Sequence, residues 1–135
     1  MEKKINLLKY ELIIFDFDGV IIDSNNLKKN IFINMFESNL TIVLREKINH
    51  FLNEYANLSR RNKISYIANN LLNLKYKSNE IEEQILRFSY LSLNALKKAN
   101  LIPGIHLTLQ KLKKLDIKIA INSAADKNEI TEVLK

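Results

Sequence analysis

The sequence contains no cysteine. That absence excludes a disulfide framework and any cysteine-based zinc site, and it fits a reducing compartment. Proline occurs once and glycine twice in 135 residues, so few positions force the chain to break. No apolar run is long enough for a signal peptide or a membrane span. The longest candidate, Leu12 to Ile22, is interrupted by Asp16 and Asp18. The N-terminus is charged and turns polar again at Lys9. These absences predict a soluble, cytoplasmic protein without a membrane partner.

Arginine is scarce where bidentate phosphate contacts would want it. The net charge of +6 comes mainly from scattered lysines. It reads as a compositional bias toward Lys, Asn and Ile rather than a nucleic-acid surface, and no nucleic-acid partner is expected. A positive field would still attract a phosphorylated small molecule. Hydrophobic residues make up 47% of the chain, enough for a real core. The length suits one ordinary domain, or a small core plus a subdomain.

Glu11-Leu12-Ile13-Ile14-Phe15-Asp16 is a short, continuous apolar run ending in acids, as expected of a parallel strand buried on both faces. Gly19 lets the chain turn just beyond it. Asp23 and Ser24 are good N-cap residues, and Leu27, Ile31, Met35 and Phe36 predict a helix over 25–37. Leu44, Ile48, Leu52 and Tyr55 predict another over 44–57. A third starts at Ser59 and carries Ile64, Ile67, Leu71 and Leu74. A fourth runs over 80–99, with Asn79 and Glu82 as a capping box. No Gly, Pro or convincing strand lies between Ser24 and Asn100, so this stretch is a helical block.

Pro103-Gly104 marks a break. Ile105, Leu109, Leu112 and Leu115 then define a short amphipathic helix, Ile117–Asn122 a second strand, and Asp126 with Glu129 the start of a last helix. The order is strand, helical insertion, helix, strand, helix. Two parallel strands joined through a helix imply an α/β sheet. Ligands bind at the carboxyl ends of such strands, and Asp16, Asp18 and Ser123 all lie at those ends. Side chains two apart in a strand point the same way, so the carboxylates at 16 and 18 can border one pocket. A solvated turn would also use Asp and Gly, but two acids at the tip of an apolar strand cost stability without a ligand or partner.

The segment Phe15-Asp16-Phe17-Asp18-Gly19-Val20-Ile21-Ile22-Asp23-Ser24 resembles the first motif of the haloacid dehalogenase (HAD) superfamily. Lys118 to Lys127, a strand ending in Asn122-Ser123, resembles its second. The resemblance implies an incomplete HAD-like Rossmannoid core, at 1–24 and 99–135, with only its first two parallel strands. Into it an all-helical cap is inserted at 25–98. It implies a phosphomonoester hydrolase working through an aspartyl-phosphate. Asp16 is the nucleophile and Asp18 the acid/base, while Asn122 and Ser123 bind the phosphoryl group. A Mg²⁺ ion is expected on the Asp16 carboxylate and the Asp18 carbonyl. Lys28, Arg60 and Lys63 are the cap candidates for substrate contact, with only one of Arg60 and Arg61 expected to point inward. The expected substrate is a small phosphorylated metabolite of the sugar-phosphate or phosphoglycolate kind.

Two family features are missing from this sequence. No Lys downstream of Ser123 has room to neutralise the aspartates, and no later strand supplies further acids for Mg²⁺. The expectation is a C-terminally truncated family member that is inactive or impaired alone, with an apolar strand edge open to another chain. A phosphomutase, which shares the core, is the alternative within the family, and a non-catalytic binding module needing a partner chain the alternative outside it. A dehalogenase does not need the second acid, and nothing singles out the cap lysine that phosphonate hydrolysis would require. His50 and His106 stand alone and form no metal motif.

Overall fold

A computed structural model describes residues 6–135 of the chain. These residues form an α/β fold with a two-stranded parallel sheet and six α-helices. They divide into two compact units, one running up to Ser24 and resuming at Lys98–Lys135, the other Asn25–Lys97.

In the sheet unit, β1 (Leu12–Phe15) pairs in parallel with β2 (Lys118–Ile121), Phe15 standing opposite Ile121. Lys118 N–H bonds to Glu11 O and Asn122 N–H to Phe15 O, both at 2.9 Å, extending the ladder past each end. The expectation of a strand buried on both faces is corrected. Leu12 and Ile14 are 46% and 58% exposed, because no helix or strand among the described residues covers that face of β1. The core lies under the other side and under the turns, with Phe17, Ile21, Ile22, Ile105, Leu112 and Ile117 buried. Gly104 takes φ 83°, a left-handed conformation that glycine adopts without steric cost, and α5 (Ile105–Lys114) follows at once. Asp126 caps α6 (Lys127–Val133) by accepting from Asn128 N–H.

The helical unit contains α1 (Asn25–Asn34), α2 (Ile42–Glu54), α3 (Arg60–Tyr66) and α4 (Ser78–Leu96). Its core joins Ile31, Phe32, Phe36, Ile48, Phe51, Ile64, Ile67 and Phe88. Phe32 and Phe88 pack with ring centroids 4.3 Å apart. Ser59 accepts from Asn62 N–H as the expected cap of α3.

The boundaries of the other helices shift. The first helix stops at Asn34, and Met35 and Phe36 are buried in the turn that follows. The second begins at Ile42 because Thr41 caps it, accepting from Leu44 N–H. The helix expected from Ser59 to Leu74 loosens into a π-turn over Ile67–Leu71, where Leu72 N–H reaches back to Ile67 O. Asn69 then stops it, its side-chain amide bonding both the N–H and the C=O of Tyr76. The capping pair of α4 is Lys77 and Glu80, not Asn79 and Glu82. Glu80 accepts from Lys77 N–H at 2.8 Å.

Candidate active site

The two acids of the first motif sit in a turn beyond β1 rather than in the strand. Phe15 is the last strand residue, and Asp16 leaves the sheet exposed. Its Oδ1 accepts from Phe17 N–H at 2.6 Å. Phe17 is fully buried and pins the middle of the Asp-Phe-Asp segment into the core. Ile21 and Ile22 N–H both bond to Phe17 O, and Gly19, at φ 72°, bonds through its N–H to Ile22 O. This closed turn fixes the acids in place of strand alternation. Asp18 is half-buried, and its Oδ1 accepts from Ser24 Oγ at 2.6 Å. Ser24 is fully buried.

The second arm comes from β2. Asn122 is still held by the ladder, and Ser123 follows it into the loop before α6. Ser123 Oγ accepts from Ala125 N–H at 3.1 Å. The parallel register places Asp16 and Asn122–Ser123 at the same ends of adjacent strands. Carboxylates and hydroxyl therefore share the carboxyl edge of the sheet, where α/β folds bind their ligands.

The sequence pattern of haloacid dehalogenase-like hydrolases matches residues 13–135. The chain belongs to that family. Among solved structures it is similar to a Thermotoga maritima protein assigned as a beta-phosphoglucomutase, with a TM-score of 0.64 and 23% sequence identity. The match covers 92% of this chain and 54% of that one, so the chain spans about half the length of the structure it resembles. No curated protein matches it.

The donor set for a metal in this haloacid dehalogenase-like chain is short. Among the described residues no group of three or more His, Asp or Glu could hold an ion. The Asp16 carboxylate is an exposed hard oxygen donor, and the Asp18 carbonyl belongs to the same turn. Mg²⁺ commonly binds through one or two carboxylates together with waters and substrate phosphate. The residues present fit an ion taken up with a phosphate, not one caged by protein alone.

The remaining candidates lie in the helical unit. Arg60 and Lys63 sit one turn apart on α3 and rest over Phe88 and Phe32, with Arg60 Cζ 4.6 Å and Lys63 Nζ 5.8 Å from the ring centroids. Arg60 donates to Ser89 Oγ at 2.6 Å and Lys63 to Ala56 O at 2.7 Å. Burial lowers the Lys63 pKa below its ordinary 10.5. Arg61 pairs instead with Glu82 at the surface, so Arg60 is the one of the two that turns toward the unit's interior. Lys28 is half-buried on α1.

Two residues carry more weight than their sequence context suggested. Ser24 reads as a helix cap, yet its hydroxyl serves Asp18. Glu129 reads as a helix-start signal and is 6% exposed in the first turn of α6, an end of the helix that favours negative charge. Its burial has no signature in sequence.

Proposed function

We propose that this chain carries the reacting centre of a HAD-type phosphomonoester hydrolase acting on a small phosphorylated metabolite. The observation that supports this reading is the parallel register, which sets Asp16 and Asn122–Ser123 at the same ends of adjacent strands, with Asp18 in the turn beyond β1 held by buried Ser24. Asp16 attacks phosphorus, an aspartyl-phosphate forms, and the P–O bond to the leaving alcohol breaks. Asp18 gives that alcohol its proton. Water then attacks the aspartyl-phosphate, Asp18 takes the water's proton, and inorganic phosphate leaves. Ser123 accepts from Ala125, which keeps its own O–H available to donate to a phosphoryl oxygen. Asn122 contributes from the adjacent position. Mg²⁺ at the Asp16 carboxylate and Asp18 carbonyl would supply positive charge against the phosphate.

The helical unit acts as the cap, with Lys28, Arg60 and Lys63 as its substrate-reading cations. Lys63 gives one of its three N–H donors to Ala56 O, which leaves the ammonium able to donate to a substrate as well. A phosphomutase is the second reading, favoured by the likeness to the Thermotoga maritima protein. It shares the first half-reaction and passes the phosphoryl group to a sugar hydroxyl instead of water.

The short metal set leads us to expect low turnover, so the deciding experiment is a single-turnover one. The protein is incubated with Mg²⁺ and a reactive acyl phosphate, then mapped by mass spectrometry. A phosphoryl adduct is expected on Asp16 and is expected to be absent from Asp16→Asn. An adduct that persists in Asp16→Asn would overturn the assignment of the nucleophile.

A further inference from the structure

Two exposed tyrosines and a lysine lie together in the helical unit, and we propose that they take the flat ring and the anionic group of one ligand, a phosphomonoester built on an aromatic heterocycle. Such a ligand is a substrate for the hydrolase proposed above, and its assignment rests on that reading.

The rings are joined through Phe51, which is 5% exposed on α2. Tyr66 of α3 stacks on it, with centroids 4.4 Å apart and planes 17° from parallel. Tyr55 tilts against the same ring at 5.4 Å. Phe51 is thus the buried base of an aromatic cluster. Tyr55 and Tyr66 remain 46% and 41% exposed, a larger share than a phenolic hydroxyl alone can show, so ring surface faces water. Leu58 is also exposed and closes the turn after α2, its N–H bonding to Tyr55 O at 3.2 Å. Apolar side chains scattered singly over a surface need no explanation. Here two rings are contiguous, and a cation is fixed beside them.

That cation is Lys63. Its Nζ donates to Ala56 O, the residue after Tyr55, at 2.7 Å. Lys63 and Tyr66 are three apart on α3 and so share a face. The bond to Ala56 ties the turn to α3, which holds rings and ammonium in place before a ligand arrives and lowers the ordering cost of binding. Two ammonium donors are left for an anion. Burial lowers the Lys63 pKa, as for a cation short of water, and an anion at hand offsets that loss.

The surrounding charge is of one sign. Between Glu46 and Glu80 the sequence has a single acid, Glu54, against Lys47, Arg60, Arg61, Lys63, Lys75 and Lys77. Glu54 pairs with His50 at 3.3 Å, and Glu82 of α4 pairs with Arg61. An anion is therefore drawn to these helices. An open-chain or simple sugar phosphate would use the lysine and leave the rings idle. A heterocycle stacked on a tyrosine adds roughly tenfold or more in affinity.

Adenosine monophosphate is the probe, because it divides into two halves, adenosine and ribose 5-phosphate. The full chain carrying Asp16→Asn, which stops turnover, is titrated with each of the three and followed by two-dimensional NMR. The nucleotide is expected to bind about tenfold more tightly than either half. Tyr55→Leu, at an already exposed site, should reduce its affinity to that of ribose 5-phosphate, and Lys63→Met to that of adenosine. Tyr90→Leu, on α4 and 69% exposed, should leave it unchanged. Circular dichroism checks that each variant folds.

A nucleotide that binds no more tightly than ribose 5-phosphate would overturn the assignment. So would an affinity that both Tyr55→Leu and Tyr66→Leu leave intact, or one that Tyr90→Leu weakens as much as Tyr55→Leu does. These titrations do not depend on phosphoryl transfer. Tight nucleotide binding through the tyrosines without a phosphoryl adduct on Asp16 would remove the hydrolase and leave the ring-and-anion site standing.

Discussion

Ser24 lies 2.6 Å from Asp18 Oδ1 with no exposed surface, so its hydroxyl has no water to fall back on. Replacing it with Ala removes a hydrogen bond to an ionisable group, at a cost of about 1.5–3 kcal/mol. Urea unfolding of Ser24→Ala should show this as a lowered midpoint at unchanged slope. Lys63 offers a second check. Its pKa is lowered by burial, so between that lowered value and 10.5 the unfolded chain binds more protons than the folded one. Its contribution to stability therefore rises as pH climbs through that window and is lost as pH falls below it. A two-dimensional NMR titration should find the Lys63 side chain losing its proton before the other lysines. The sequence marked both acids of the first motif and the hydroxyl at 123, because that segment is dense with chemistry. It could not reveal the Ser24–Asp18 bond or the Phe17 anchor, which depend on how a six-residue turn closes.

Elements with a strong apolar period were legible; their ends were not. Leu44, Ile48 and Leu52 announced α2, but its start is set by Thr41, whose side chain competes with equally plausible caps only once the chain is folded. Thr41→Ala should lower stability by about 1 kcal/mol, readable as a drop in Tm. The period from Ile64 to Leu74 looked like one helix because apolar spacing does not report backbone registration. A single side chain, Asn69, satisfies both backbone groups of Tyr76 and ends the helix early. Strand β1 was legible as a strand but not in its exposure. Continuous apolarity signals two buried faces only where neighbouring strands and helices exist to bury them.

For the molecule as a whole, the sequence showed the α/β order, because that order follows from period, length and punctuation. Around Asp16, no group of three or more His, Asp or Glu among the described residues could hold an ion. That shortage has a measurable result. Calorimetry should detect little Mg²⁺ binding to the protein alone and tighter binding when phosphate is present, since the ion needs the anion's oxygens to complete its shell. Equal Mg²⁺ affinity with and without phosphate would contradict the site described above.

The chain leaves and re-enters the sheet unit through two segments laced together, with Asp23 N–H on Asn100 O and Ile102 N–H on Ile21 O. The first and last helices of the insertion, α1 and α4, also pack on each other. Closing β1 onto β2 in an unfolded chain means bridging about a hundred residues, a slow search. Once the helices have gathered, that detour collapses to a short hop, because the penalty follows the length of slack chain. The expected order of assembly is therefore helices early and strand zipping late. Pulse-labelled hydrogen exchange should find α1 and α4 amides protected before those of β2.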